Sequence, residues 1–161
     1  DTTRLFLVVI EFNVAIGGVN KIQLLIRVCP MISVAAIDHI VLRVADADAS
    51  IAFYREVLGC PVEKRDDMIG LIHLRAGASL IDLIPLEGQL GSAGGAGPGL
   101  EGRNVDHICL RLNEYDPIKV KSHLEAHGVA YQLPASRYGS GGEGLSIYLK
   151  DPDGNGIELR G

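Results

Sequence analysis

The chain has no tryptophan and few other aromatics, three Phe and five Tyr. It also lacks any dense cluster of Lys or Arg. With 15 Lys and Arg against 20 Asp and Glu, the formal charge is -5, so nucleic acid is not an expected partner. Cysteine is scarce: Cys29, Cys60 and Cys109 are odd in number, well separated and form no CxxC pair. That excludes a disulfide framework and suits a reducing cytoplasm with buried thiols. Long hydrophobic runs are missing too. Leu5–Ile10 is apolar, but Glu11, Asn13, Asn20 and Lys21 break up the residues after it, well short of the roughly 20 apolar residues that span a bilayer. No small-residue cleavage site comes after a clean apolar segment, so neither a membrane span nor a signal peptide is expected.

What is present reads as ordinary globular protein, 47% hydrophobic and 22% charged. The 161 residues suffice for one compact domain or for two small modules sharing a core. Regular patterning begins just after Met31. Residues 1–34 are therefore expected to be an N-terminal extension outside the chemistry, with Met31 as the natural start. The alternative is an extra strand or an oligomer contact. The patterned domain is expected over 35–161.

That domain is an internal duplication. Ile37-Asp-His-Ile-Val-Leu-Arg43 returns as Val105-Asp-His-Ile-Cys-Leu-Arg111. His39 to His107 spans 68 residues, and Gly59 to Gly128, the two expected helix stops, spans 69. In the first copy, 37–44 alternates as a strand, and Asp46 or Asp48 can cap a helix with Ile51, Tyr54, Val57 and Leu58 on its apolar side. Strands near 61–66, 69–75 and 79–86 come next, with Gly70 and Gly77 at the turns. The second copy has a strand over 105–112 and an Asp116-Pro117 cap leading into a helix to about His127. Strands are expected near 129–134, 144–150 and 156–160, with a flexible insert at 135–143. The prediction is an α+β fold of two βαβββ modules, residues 35–88 and 104–161, joined by a Gly/Ser/Ala-rich linker over 89–103. Together they form a curved, cup-shaped mixed sheet with the helices outside.

The first strand of each copy is unusually polar on the face away from its helix. His39 and Arg43 share one side, and His107 and Arg111 share the matching side. Burying such groups costs several kcal/mol unless they are paired or ligated. Asp82, between Leu80 and Ile84, and Glu158 hold corresponding places in the last strands. If the curved sheets face one another, two imidazoles and two carboxylates converge. Mixed N/O donors of this kind suit Ni, Zn, Co, Mn or Fe(II). An aspartate near a strand end can also serve only to bond backbone, which is the plainer reading of Asp82.

On Asp38-His39-Ile-Val-Leu-Arg-Val44, Ala52-Phe-Tyr-Arg-Glu-Val-Leu-Gly59, Val105-Asp-His107 and Asp151-Pro-Asp-Gly-Asn-Gly-Ile-Glu158, the chain resembles the vicinal oxygen chelate superfamily. That group includes glyoxalase I, extradiol dioxygenases, fosfomycin-resistance proteins, methylmalonyl-CoA epimerase and bleomycin-binding proteins. The resemblance covers 37–160 and implies paired modules cupped around one divalent metal that chelates two neighbouring substrate oxygens. It places the ligands at His39, Asp82, His107 and Glu158 and makes a homodimer the expected assembly. It also implies a glyoxalase-like lyase or isomerase that stabilises an enediolate, with Glu158 or Asp82 as the catalytic base. Arg43, four residues after His39, matches the arginine that grips a glutathione carboxylate in glyoxalase I. Asp82 and Leu86 depart from the Glu and Asn usual there, which puts glutathione itself in doubt. The alternatives are an extradiol Fe(II) dioxygenase using His39, His107 and Glu158, and a metal-independent sequestering protein. The dioxygenase lacks its expected histidine, since 139–141 read Gly-Ser-Gly.

Other residues carry lesser expectations. Arg137 and Tyr138, with Ser140 and Glu143, lie in a Gly-rich insert that could close over a small-molecule substrate. An ordinary surface loop is the competing reading. His73 and Tyr148 occupy matching strands and read as surface or core residues before cup residues. His123 and His127 are four apart on a helix, but without an intervening HExxH acid they read as a solvated face. Gly97–Gly102 and Gly139–Gly144 match GxGxxG, yet neither lies between a strand and a helix, so no dinucleotide site is expected. Cys109, on the cup-side alternation, could touch ligand, although small buried thiols are common.

Overall fold

Backbone pairing begins with a short ladder in which β1 (Val9–Ile10) runs antiparallel to β2 (Ile26–Arg27). These strands belong to the first of two units into which the chain divides, Asp1–Ala36 and Ile37–Gly161. The computed structural model describes residues 9–10, 26–27, 32–99 and 101–161. Met31 and most of the expected extension lie outside the described residues.

The second unit repeats one sequence of elements. Its first module consists of β3 (His39–Val44), α1 (Ala47–Ala52), β4 (Val62–Asp66), β5 (Leu71–Ala76) and β6 (Ser79–Pro85). A short helix, α2 (Gln89–Ser92), lies within the linker. The second module is β7 (His107–Arg111), α3 (Pro117–Ala126), β8 (Ala135–Gly139), β9 (Gly142–Lys150) and β10 (Gly156–Arg160). The sheets run β3-β6-β5-β4 and β7-β10-β9-β8, so each first strand lies beside its module's last. β3 is parallel to β6 and β7 to β10, and the other pairs are antiparallel. A parallel pair requires a long crossover, which the intervening helix and hairpins supply. The protein is α+β, built from two βαβββ modules.

Local chemistry sets the helix ends. The Asp46 carboxylate accepts from Ala49 N–H at 2.9 Å, and Asp116 accepts from Ile118 and Lys119 N–H ahead of Pro117. α1 continues as a π-turn over Phe53–Val57 before Gly59 stops it at φ +68°; Gly128 stops α3 at φ +66°. The alternating strand residues on the helix side form one core from both modules, including Val44, Ile81 and Leu83 with Ile147, Ile157 and Leu159. A polar latch also joins them. The buried Tyr54 hydroxyl donates to Asp151 Oδ2 at 2.9 Å, while Ala45 N–H donates to Asp153 Oδ1 at 2.9 Å. The Asp-Pro-Asp-Gly turn thus clamps the first module's helix.

Two expectations are corrected. The strand expected near 129–134 is reduced to one bridge, Tyr131 to Leu149. Val129, Tyr131 and Leu133 alternate as a strand would, but Leu133 is 77% exposed and Pro134 offers no N–H to a ladder. The segment expected as a flexible insert instead forms β8 and its turn into β9. β8 sits at a sheet edge and needs only backbone pairing, so its sequence carries no apolar alternation. No helix among the described residues is long and apolar enough to cross a membrane.

Candidate metal centre

The predicted donors lie two by two on one face of each sheet, with a direct contact between His107 and Glu158 at 3.0 Å. On the first sheet, His39 and Val41 of β3 share a face with Leu80 and Asp82 of β6 and with His73 of β5. Asp82 is 4% exposed, and its Oδ1 accepts from His73 Nδ1–H at 2.7 Å. His73 therefore faces the cup, contrary to the plainer expectation for it. His39 Nδ1–H donates to Asp38 at 2.7 Å, which leaves Nε2 free on this face. That hydrogen bond raises the imidazole pKa above its ordinary value, partial desolvation opposing it and the Asp82 and Asp38 charges adding to it.

On the second sheet the two donors touch. His107 Nε2 lies 3.0 Å from Glu158 Oε2, and Nδ1 lies 2.8 Å from Asp106 Oδ2. A neutral imidazole has one N–H and cannot donate to both carboxylates at once. The ring lone pair on the other side then faces a carboxylate oxygen, which is unfavourable unless a proton or a cation lies between them. Ligand arms of roughly 2.0–2.2 Å to one divalent ion would set an N and an O about this far apart. Hard and borderline donors and a buried carboxylate fit a divalent ion.

Glu158 is 5% exposed on β10. Burial pushes its pKa up, but Ser146, Tyr148 and Cys109 beside it and the His107 charge outweigh burial and hold it below the ordinary value. Ser146 Oγ is buried and makes no hydrogen bond of good geometry, so its contribution is that of a nearby dipole. Tyr148 meets His107 edge-on, with ring centroids 5.3 Å apart, and so faces the cup as well. Partial burial, then the charge of Glu158, pushes the Cys109 thiol up to about 11, which makes it a poor nucleophile. A groove of about 640 Å³ opens beside His107, walled in part by Phe53, Asp106, Val129, Tyr131 and Pro152.

Among the described residues no three His, Cys, Asp or Glu side chains cluster around a common point. His39 and Asp82 lie on the first sheet, His107 and Glu158 on the second. The predicted substrate residues also divide. Arg137 lies over the Tyr148 ring, 5.8 Å from its centroid, on the Glu158 face. Tyr138 is one position along β8 and so lies on the opposite face, 82% exposed. The guanidinium of Arg43 donates to the carbonyls of Gly91, Gly94, Gly95 and Ala96. A substrate could reach it only by opening that cage. His123 Nε2 lies 3.0 Å from Val57 O, and His127 Nδ1 2.9 Å from His123 O, so both bond backbone.

Two residues that bond the predicted histidine ligands, Asp38 and Asp106, are not singled out by the sequence pattern. The signal is present, because Asp-His occurs in both copies, but only the folded chain shows each carboxylate holding the adjacent Nδ1.

A paired βαβββ architecture with a histidine and a carboxylate on one face of each sheet is the frame that the sequence pattern implies. Comparison with known proteins agrees with that frame. A profile of the Glyoxalase/Bleomycin resistance protein/Dioxygenase superfamily matches residues 36–159, and the chain belongs to that superfamily. It is 35% identical to Virulence protein STM3117 of Salmonella typhimurium over 76% of this chain and 81% of that one. It is 31% identical to the Glyoxalase domain-containing protein RDO1 of Mycosarcoma maydis, over 80% of this chain and 69% of that one. Among solved structures, an integron cassette protein, VCH_CASS1, from the mobile metagenome of V. cholerae superposes with a TM-score of 0.64. It is 29% identical, and the match covers 81% of this chain and 97% of that one.

Proposed function

We propose that this protein is a divalent-metal-dependent enzyme of the glyoxalase kind, acting on a small metabolite with a carbonyl beside a second oxygen. The observation that carries this reading is the His107–Glu158 pair, a ring nitrogen and a buried carboxylate 3.0 Å apart with the other nitrogen committed to Asp106. His39 and Asp82 are its counterparts on the first sheet. Because the pairs are separate within one chain, a homodimer that sets the first sheet of one copy against the second sheet of the other would complete the site. His39, Asp82, His107 and Glu158 would together hold the ion. When bound, such an ion supplies Lewis-acid polarisation of a carbonyl.

The chain's own groups would handle the proton. Glu158, kept ionised by the hydroxyls and thiol around it, can accept a proton from the carbon next to a carbonyl and return it to the neighbouring carbon. Asp82, held by His73, is the second carboxylate available for that exchange. Arg137 and Tyr148 border the same face and would position the substrate.

Metal analysis of protein purified without chelator, and then solvent deuterium exchange into α-hydroxy ketones and 2-oxo acids, tests the reading. Stoichiometric Ni, Zn, Co or Mn with exchange at the α-carbon, both lost in His107→Ala, is the expected result. Iron with oxygen uptake on catechols would replace it with ring-cleaving chemistry. A protein that takes up no divalent ion would overturn it.

A further inference from the structure

Two guanidinium groups stand side by side at the end of the second sheet. Arg111 of β7 and Arg160 of β10 are direct partners in the parallel register, as are Cys109 and Glu158 two residues earlier. Both arginines therefore project from the Glu158 face, roughly 6–7 Å farther along the strands. Like charges directly opposite one another across a strand pair are unfavourable. Among the described residues neither has a carboxylate partner.

Arg160 is also 4% exposed. Nη1 donates to Arg137 O at 2.8 Å and Nη2 to Gly142 O, while Nε is buried without a partner. Arg111 remains accessible, with one long contact to Ser140 Oγ at 3.4 Å. The backbone lying against them is glycine. A Cβ would stand 2.5 Å from Arg111 Nη2 if placed on Gly141, and 2.8 Å from Arg160 Cζ if placed on Gly139. The first module treats its equivalent differently. Arg43 faces Ile84 across the register, and four carbonyls occupy its guanidinium. Four carbonyls hold Arg43 and two hold Arg160, whereas among the described residues none holds Arg111, so Arg111 is the open cation of the three.

We infer that Arg111 and Arg160, under the Gly139–Gly142 hairpin, form a binding site for an anionic oxygen group, a carboxylate or a phosphoryl. The open fork of N–H donors on Arg111, with the unpartnered Nε–H of Arg160, suits such a group. The inference rests on the proposed function only in making the anion part of the substrate. That substrate is then an acid or phosphorylated metabolite whose charged group lies a few bonds from the reacting carbon.

Calorimetric titration of the full chain, stripped of metal with chelator and then dialysed, with inorganic phosphate and with acetate at matched ionic strength tests the site. One or both anions bind, and the tighter one names the group. Arg111→Gln weakens binding by roughly tenfold or more. Gly141→Ala, which sets a methyl group against the same guanidinium, weakens it as well. Arg65→Gln, at an arginine beside Asp67 on the other sheet, leaves it unchanged. Absence of binding by both anions, equal affinity in Arg111→Gln, or equal loss in Arg65→Gln overturns the site. Titrating the metal separately keeps the two proposals apart. Phosphate binding without metal uptake removes the metal reading and leaves the anion site standing, and the reverse result removes only the anion site.

Discussion

His107 is held between two carboxylates, Asp106 at Nδ1 and Glu158 at Nε2, 2.8 and 3.0 Å away. The first contact orients the ring so that the second nitrogen is presented to the cup. Asp106→Ala should therefore leave the fold intact and weaken metal affinity by about 10–100-fold. Competition with a chromophoric chelator measures this. Unchanged affinity would show that the ring needs no partner.

If two copies share each site, the half-sites can be complemented. His39→Ala and His107→Ala should each be inactive alone. Mixed after reversible dissociation, they should recover roughly a quarter of the wild-type activity, since half of the dimers are hybrids with one intact site of two. No recovery from a mixture shown to contain hybrids would place all four donors within one chain.

Tyr54 and Asp151 tie the modules together at 2.9 Å, and Asp151 also accepts from Asn155 N–H and Nδ2. Tyr54→Phe should cost about 1.5–3 kcal/mol in urea unfolding, and Asp151→Ala more, because three donors lose their acceptor. Burial, then the Asp151 charge, raises the Tyr54 phenol well above its ordinary value of 10.0. Its folded pKa lies above the unfolded one, so its stabilisation is complete below about pH 10 and is lost as pH rises further. The slope for this one proton is about 1.4 kcal/mol per pH unit. Tyr54→Phe should remove that part of the alkaline decline; an unchanged slope would exclude Tyr54 as its source.

Gly156 lies against the backbone of Asp106 and His107. A Cβ there would stand 2.5 Å from Asp106 O and 2.9 Å from His107 Cβ. Gly156→Ala should destabilise the protein by about 1–3 kcal/mol and weaken metal binding by moving His107. Thermal melts with and without added metal separate the two effects.

Much of the fold is legible in the chain. Period-two alternation and the repeated Asp-His strand place His39 and His107 on matching strands, and glycines 59 and 128 mark both helix ends. These are local signals, because each depends on residues adjacent in sequence or on the same strand. The 135–139 strand is not legible, because an edge strand held by backbone hydrogen bonds needs no apolar pattern. Tyr148 and His73 read as surface or core residues, although Glu158 and Asp82 draw them toward the cup.

The sequence by itself determined the duplicated βαβββ order and which strand face carries the donors, since backbone periodicity assigns each side chain to a side. Only the tertiary structure decided that the donors sit as two pairs, that linker carbonyls enclose Arg43, and that Arg111 and Arg160 stand together. Those outcomes depend on which distant segments pack side by side, and that is settled by burial of the shared core and by hydrogen bonds between residues far apart in the chain.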